Sequence, residues 1–271
     1  MNSIYVIIVL YKISLFEAES YRTLIEPNHI TNFLVYDNSP EEGYTDLSQL
    51  PKEATYIHDK SNSGLSLAYN RGAQIASEQG YKRVLLLDQD THFMAGTWQA
   101  YMNHIDYNGI TSPLIVTTNG APFSPVRIDK CFLTPVDELE RGEYSLYQYA
   151  VVNSGSCVPT ELFNRCGGYD ESVTLDFSDF QFQVRLRKLR SKFLLLEAKA
   201  MQDFSNDCSN LEKMKKRFAL YLKSAVHFKA DSPALQCKHY AEVMKHTLSL
   251  TVRTHNLYFI GKYIKEFIKR G

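Results

Sequence analysis

The sequence lacks the cysteine spacing of a disulfide-stabilised or zinc-stabilised protein. Its five cysteines are odd in number, and no two of them form a Cys-x-x-Cys pair. This arrangement indicates neither a metal finger nor a disulfide framework. A reducing compartment suits it best, so we expect a cytoplasmic protein.

The sequence also lacks a long hydrophobic run, and no apolar segment approaches the ~20 residues that a membrane helix needs. Residues 1–11 are apolar but carry neither a positively charged start nor a small-residue cleavage site. They therefore predict a buried strand and not a signal peptide. A formal net charge of +0 argues against nucleic acid as a partner.

The charges are unevenly distributed along the chain. Residues 1–210 contain 17 Lys and Arg against 26 Asp and Glu, whereas residues 211–271 contain 13 against 4. Within this basic tail, residues 257–270 place apolar side chains on one helical stripe and lysines on the other side. Peripheral membrane contact and packing on the domain or across a dimer both fit such a helix.

Strand and helix signals alternate through the first ~100 residues, which favours a mostly parallel sheet wound with helices. Short apolar runs predict strands at residues 4–10, 33–36, 54–58 and 84–87. Helical patterns cover residues 15–24, 65–78, 160–166 and 178–189, and a further strand is predicted at residues 193–197. The pattern is helical from residue 210 onward, while residues 106–150 give few periodic signals.

The sharpest motif is Asp88-Gln89-Asp90, which directly follows an apolar strand. Ligands bind at the carboxyl ends of the strands in such sheets, and paired carboxylates hold Mg²⁺ or Mn²⁺ against a diphosphate. With Thr91 the same segment matches the nucleophile motif of haloacid-dehalogenase-type phosphatases, which is an alternative. Against it, three strand signals precede the motif, and no convincing Lys and Gly-Asp pair follows.

Two further segments have the residues of a binding site. Asn62-Ser63-Gly64 precedes a predicted helix, where exposed N–H groups can receive a phosphate or a ribose oxygen. Asp179 lies near the start of another predicted helix, where a fixed carboxylate can deprotonate a hydroxyl group. Ordinary helix capping explains each segment equally well when it is taken alone.

Taken in order, the motifs resemble family-2 glycosyltransferases, most closely bacterial rhamnosyltransferase-like members, over residues 4–205. The segments that carry the resemblance are Asp37-Asn38-Ser39, Asn62-Ser63-Gly64, Asn70-Arg71-Gly72, Asp88-Gln89-Asp90, Asn153-Ser154-Gly155-Ser156, Gly167-Gly168-Tyr169-Asp170, and Asp179 with Arg185. The resemblance implies a GT-A fold with a mostly parallel central sheet, flanking helices and a helical C-terminal extension. Its catalytic domain would span residues 1–205, with a nucleotide-binding half at 1–100 and an acceptor-binding half at 101–205, and the basic extension would span 206–271.

The resemblance also implies the reaction. The enzyme would transfer a sugar from a nucleotide-diphosphate donor to a glycan or lipid-linked acceptor in bacterial surface polysaccharide synthesis. Analogy with the rhamnosyltransferase-like members suggests rhamnose as the sugar. One base without an enzyme nucleophile implies inversion at the anomeric carbon. A divalent cation would assist the transfer reaction. The reaction would take place in the cytoplasm or on the inner face of the cell membrane.

The resemblance assigns roles to individual positions. Asp179 would be the catalytic base, and Asp90, together with Asp88, would bind the cation. The remaining positions would contact donor or acceptor: Tyr11, Asp37, Asn62, Gly64, Asn70, Asp88, Gln89, Asn153, Ser154 and Gly155.

Three positions depart from the family pattern. Ser178 stands where an acid usually precedes the base, and Gln181 stands where an acid often follows it. The segment after the next strand has no histidine, so that Gln202 or Asp203 would replace it as a cation ligand, or fewer protein ligands would hold the cation. A nucleotidyltransferase and a catalytically degenerate sugar-nucleotide-binding protein are therefore further alternatives.

Overall fold

The computed structural model describes residues 3–128, 133–136, 139–202 and 210–268. Within them thirteen strands occur: β1 Ile4–Leu10, β2 Phe33–Asp37, β3 Thr55–His58, β4 Arg83–Asp88, β5 His92–Phe93, β6 Ile110–Val116, β7 Pro122–Ser124, β8 Val126–Ile128, β9 Leu133–Pro135, β10 Gly142–Ser145, β11 Tyr149–Ala150, β12 Cys157–Pro159 and β13 Lys192–Met201. Seven α-helices accompany them: α1 Leu65–Glu78, α2 Thr97–Asn103, α3 Thr160–Arg165, α4 Ser178–Leu186, α5 Leu211–Ala225, α6 Pro233–Thr254 and α7 Tyr258–Tyr263.

A large mixed sheet forms the centre of the fold, with the strand order β10-β13-β6-β12-β4-β1-β2-β3. The strands β3, β2, β1 and β4 are mutually parallel, as the alternation of strands and helices predicts. The antiparallel strand β12 joins this block to β6, and β13 continues parallel to β6. A second, three-stranded sheet has the order β11-β8-β9.

The central strand β1 is buried along its whole length. Its side chains alternate between two hydrophobic clusters, one on each face of the sheet. Tyr5, Ile7 and Val9 belong to the cluster that contains α1, while Val6 and Ile8 belong to the opposite cluster. This two-sided burial explains why the strand is continuously apolar.

The helix predicted at residues 15–24 is wrong. This segment forms a short 3-10 turn at Leu15–Glu17 and a π-helical turn at Tyr21–Ile25. Between them, Ala18 has an extended conformation, with φ −66° and ψ 128°. The buried side chains of Leu15 and Ala18 contact the sheet, so tertiary packing takes precedence over a regular helix here.

The C-terminal extension is helical, as predicted, and its helices pack on one another. Phe259, Tyr263 and Phe267 of the terminal segment contact a cluster that includes Phe218 of α5 and Val243 of α6. Of the apolar stripe predicted at residues 257–270, Tyr263 is buried and Phe267 packs against this cluster, whereas Ile264 is 42% exposed. Residues 269–270 and the boundary predicted between 205 and 206 lie outside the described residues.

No described helix combines the length and apolar character needed to cross a bilayer.

Candidate functional site

The candidate site lies at the carboxyl edge of the parallel strands. Leu10 of β1 pairs with Asp37 of β2, and Val9 pairs with Asp88 of β4, so these three strands end at the same level. The strand register therefore brings Asp37 and Asp88 to one edge of the sheet, where ligands bind in folds of this kind.

Asp37 itself is fully buried behind this edge. One carboxylate oxygen accepts a hydrogen bond from the Ser39 backbone N–H at 2.8 Å, and the other accepts from the Tyr56 hydroxyl at 2.7 Å. In this arrangement the Asp37 carboxylate stabilises the turn after β2. The predicted contact between Asp37 and the nucleotide stays a prediction.

The Asp88-Gln89-Asp90 turn is held by segments on both sides. The Gln89 side-chain oxygen accepts a hydrogen bond from the Tyr11 backbone N–H at 2.7 Å. The Asp88 backbone N–H donates to the Ser154 hydroxyl at 3.1 Å, and that hydroxyl lies 2.7 Å from the Thr91 hydroxyl. Three of the predicted positions, Tyr11, Gln89 and Ser154, thus fix the turn that carries the two carboxylates.

A network of tyrosines connects Asp88 with the start of α4. The Tyr69 hydroxyl donates to the Asp88 carboxylate at 2.7 Å, and the ring centroids of Tyr69 and Tyr169 are 5.4 Å apart. The Tyr169 hydroxyl donates to the Asn153 side-chain oxygen at 2.6 Å. The Asn153 amide in turn donates to the Ser178 hydroxyl at 3.1 Å. Ser178 directly precedes Asp179, so the network links the two predicted functional carboxylates.

Burial perturbs the pKa of both carboxylates. Loss of solvation raises the pKa of Asp88 to about 6, and the charge of Asp90 adds to the rise. Loss of solvation likewise raises the pKa of Asp179 to about 6, although the hydrogen bond from the Phe180 backbone N–H opposes the rise. The charge of Asp88 also raises the pKa of Asp179, so the two carboxyl groups interact electrostatically.

Gln202 lies between the carboxylates of the motif. Its side-chain N–H donates to Asp90 at 2.9 Å and makes a longer contact of 3.4 Å with Asp88. Its side-chain oxygen is buried and has no hydrogen-bond partner in the described part of the chain. The other residue suggested as a replacement for the missing histidine, Asp203, lies outside the described residues.

The described residues contain no group of three or more His, Cys, Asp or Glu side chains that could hold a metal ion. Asp88 and Asp90 nevertheless supply carboxylate oxygens, which is the donor type that Mg²⁺ and Mn²⁺ accept, and both contact the side-chain amide of Gln202. A donor diphosphate would provide further oxygen ligands. The residues present therefore fit a divalent cation that binds together with the nucleotide.

The loop before α1 has a fixed backbone. Asn62 and Gly64 both have positive φ angles, of 50° and 99°. A side chain at Gly64 would collide with the Thr174 carbonyl oxygen, which instead accepts a hydrogen bond from the Leu65 N–H at 2.8 Å. The Asp59 carboxylate accepts hydrogen bonds from nearby backbone N–H groups and holds the other end of the loop.

Asn70 and Arg185 contact the Gly-Gly-Tyr-Asp turn. The Asn70 side chain pairs with the Tyr169 backbone, accepting from its N–H at 2.8 Å and donating to its carbonyl at 3.1 Å. Arg185 donates to the carbonyls of Gly167 and Gly168 and pairs with Asp170 at 2.8 Å. Both side chains therefore position the Tyr169 ring at the centre of the network.

Gly155 holds the loop between β11 and β12 against the sheet. Its N–H donates to the Leu86 carbonyl at 2.8 Å, and its carbonyl accepts from the Tyr101 hydroxyl at 2.6 Å. Its φ of 80° and its close approach to Pro113 leave no room for a side chain. The structure thus brings Ser154 and Gly155 beside the Asp88 turn, while the predicted contact of Asn153, Ser154 and Gly155 with donor or acceptor stays a prediction.

The sequence reasoning missed Tyr69 and Tyr169 as functional residues. Both lie inside segments that it singled out, but neither was given a role. Their signal was weak because an aromatic residue on a helix or in a turn most often belongs to the core. Both rings are indeed buried, and only the hydroxyl groups reach the polar network.

Comparison with known proteins identifies the family. The model of the family described as "Glycosyl transferase family 2" matches residues 6–159, more than half of the chain. The chain belongs to glycosyl transferase family 2. This match confirms the resemblance to family-2 glycosyltransferases.

A curated relative of this glycosyltransferase is the dTDP-rhamnosyl transferase RfbF of Shigella flexneri. The two sequences are 23% identical over 189 residues, which cover 68% of this chain and 64% of the relative. The matched region thus spans a little less than two thirds of the relative's length.

Solved structures confirm the GT-A type of fold. The S. aureus TarS 1-349 structure in complex with UDP-GlcNAc has a TM-score of 0.56 and 15% identity, with coverage of 98% of this chain and 79% of that chain. The structure of GalNAc-T7 with UDP, GalNAc and Mn²⁺ has a TM-score of 0.55 and 12% identity, with coverage of 94% and 58%. Sequence identities this low establish the fold alone.

Proposed function

We propose that this glycosyltransferase moves a sugar, with inversion, from a nucleotide-diphosphate donor to a hydroxyl group of a glycan or lipid-linked acceptor. The observation that carries the proposal is the network of hydrogen bonds and ring contacts that joins Asp88 to Ser178, the residue before Asp179. Burial raises the pKa of the Asp88 and Asp179 carboxyl groups to about 6. A carboxylate with this pKa is ionised at neutral pH and still basic enough to accept a proton.

In the proposed reaction Asp179 is the catalytic base. The acceptor oxygen attacks the anomeric carbon, and the bond between this carbon and the diphosphate oxygen breaks. The proton of the acceptor hydroxyl passes to the Asp179 carboxylate, and the nucleoside diphosphate leaves with the bonding electrons. A single displacement of this kind inverts the anomeric configuration.

The Asp88-Gln89-Asp90 turn would bind the donor diphosphate through a divalent cation. The cation neutralises charge that develops on the leaving diphosphate. Asp90 is exposed and accessible for this role, while the Tyr69 hydroxyl holds Asp88 in place. The Mn²⁺ and UDP in the GalNAc-T7 structure support this part of the proposal by analogy.

Donor and acceptor would occupy different parts of the crevice. We assign the nucleotide to residues 1–100, where Tyr11, Asn62 and Gly64 lie close to the carboxyl edge, and the acceptor to residues 101–205. The dTDP-rhamnosyl transferase among the relatives supports a deoxysugar donor. We extend the proposal to a role in bacterial surface polysaccharide synthesis. The TarS structure supports a UDP-sugar instead, so the carrier nucleotide must be measured.

A thermal-shift panel of dTDP-sugars and UDP-sugars, with and without Mn²⁺, tests the donor site. We expect one nucleotide to stabilise the protein in the presence of Mn²⁺. Transfer to acceptor analogues is then followed by NMR, which reports the anomeric configuration of the product. Asp179→Asn should bind the donor but lose transfer, whereas the exposed Asp106→Asn should behave as wild type.

Three outcomes would contradict parts of the proposal. Retention of configuration would refute the single displacement. Transfer by Asp179→Asn at the wild-type rate would refute the base. Donor binding without any hydrolysis or transfer would instead indicate a catalytically degenerate binding protein.

A further inference from the structure

Helix α6 carries an exposed row of large apolar side chains, of which Tyr240 also contacts the Phe267 ring with centroids 6.0 Å apart. Tyr240, Met244, Leu248 and Val252 have exposed fractions of 46%, 38%, 46% and 70%. Their four-residue spacing places them along one side of the helix, over a length of about 18 Å at ~1.5 Å per residue.

This row differs from the side of α6 that packs on the protein. Val243, Thr247 and Leu250 are buried, and Val243 and Leu250 contact the cluster formed with α5 and α7. The helix therefore has two apolar sides, one toward the protein and one toward solvent. A contiguous exposed apolar row on a folded protein marks an interaction surface.

The charges next to the row indicate what it contacts. Lys245 and Arg253 are exposed, and by helical geometry both lie on the same flank of the row, with the half-buried Lys238 about two turns before Lys245. Glu242 is the single acidic residue in α6, against these three basic ones. An apolar row with a basic flank is complementary to an anionic lipid surface, in which the apolar side chains enter the interface and the cations meet the head groups.

We propose that α6 docks this glycosyltransferase on an anionic membrane surface, with Tyr240, Met244, Leu248 and Val252 in the lipid interface. The predicted membrane contact would therefore use α6 in place of the terminal segment, whose Phe259 and Tyr263 are buried against the protein. Docking of this kind needs no sugar donor, so its test is independent of the transferase activity.

Vesicle co-sedimentation tests the proposal on the full chain. We expect binding to vesicles of phosphatidylcholine with phosphatidylglycerol, weak binding to phosphatidylcholine alone, and loss of binding at high salt. Lys245→Gln with Arg253→Gln should weaken binding about thirtyfold, since each basic residue near an anionic surface contributes a factor of about five. Leu248→Gln with Val252→Gln should weaken it by about tenfold or more.

Leu47→Gln is the matched control, because Leu47 is 53% exposed in the catalytic part of the chain. It should leave vesicle binding unchanged. All of these side chains are exposed, so the variants should melt at the wild-type temperature, and a melt of each variant verifies this.

Two results would overturn the proposal. The first is an absence of α6-dependent binding: either the wild-type protein does not sediment with anionic vesicles, or the α6 variants sediment as well as the wild type. The second is a dimer, seen by sedimentation velocity, that Leu248→Gln with Val252→Gln dissociates, because the row would then be a contact between two copies of the chain.

Discussion

Replacement of the proposed base should make the protein more stable while it removes activity. Asp179 is partly buried, and loss of solvation raises the pKa of its carboxyl group from 3.8 to about 6. A carboxyl group that is harder to ionise in the folded chain than in the unfolded chain destabilises the folded chain at every pH at which it is ionised. Asparagine has nearly the same shape, cannot ionise, and can still accept the hydrogen bond from the Phe180 N–H.

The size of the effect follows from the pKa values. A rise from 3.8 to about 6 corresponds to a destabilisation of about 3 kcal/mol at pH 8, as an upper limit. Between these pKa values the folded chain binds more protons than the unfolded chain, so the free energy of unfolding falls as the pH rises through this window. Below pH ~4 both states are protonated, and the difference between Asp and Asn should disappear.

Urea unfolding of wild type and Asp179→Asn at pH 8 and at pH 4 measures this difference. We expect the variant to be more stable by up to about 3 kcal/mol at pH 8, and equally stable at pH 4. In a thermal melt this corresponds to a rise of about 2–4 °C per kcal/mol. Asp106→Asn, at a side chain that is 81% exposed, should change stability little at either pH. An Asp179→Asn variant that is no more stable than wild type at pH 8 would refute the buried, poorly solvated carboxylate.

Three more outcomes are expected from the same site. The pH profile of kcat/KM should fall about tenfold per pH unit below pH ~6, because the base must be ionised, and a flat profile from pH 5 to 7 would contradict Asp179 as that base. Asp90→Ala should lose the Mn²⁺-dependent thermal shift by the donor nucleotide, whereas Asp106→Ala should keep it. Gly64→Ala should destabilise the protein by about 1–3 kcal/mol in urea unfolding, because a β-carbon there collides with a backbone carbonyl. Gly80→Ala is the control, and it should lower the free energy of unfolding by less, because the space around Gly80 is open. Equal losses at the two glycines would contradict this explanation.

The sequence predicted the parallel half of the sheet well because local signals suffice there. The strand at Ile4–Leu10 and the helix at Leu65–Glu78 have the bounds that the pattern indicated. The intervening segment at residues 15–24 was predicted wrongly because its apolar residues pack on the sheet individually, through two irregular turns. Periodicity does not distinguish such packing from a regular helix.

The second half of the chain was harder to predict for a related reason. Strands β7 to β12 have at most four residues each, which is too few to show an alternating pattern. Their positions depend on pairing with distant strands, as in the contact of β12 with both β4 and β6. The tyrosine network was hidden in the same way, since it joins residues up to about a hundred positions apart only after folding.

Two departures from the family pattern, Ser178 and Gln181, make hydrogen bonds that stabilise the fold. Ser178 accepts a hydrogen bond from the Asn153 amide. A carboxylate at this position could accept the same hydrogen bond, but it would add a negative charge beside Asp179. The Gln181 amide donates to the Lys229 carbonyl at 3.0 Å and accepts from the Lys229 N–H at 2.6 Å. Such a paired contact needs both a donor and an acceptor, which an ionised acid does not offer.

Gln181 thereby ties α4 to the helical extension, and other contacts strengthen the connection. The Phe180 and Phe228 rings stack with centroids 5.5 Å apart, and Arg187 forms an ion pair with Asp231 at 2.5 Å. All of these contacts lie on the helix that begins beside Asp179. The extension therefore helps to hold the base in position, and the replacement of an acid by Gln181 is better explained by this structural task than by a loss of catalytic function.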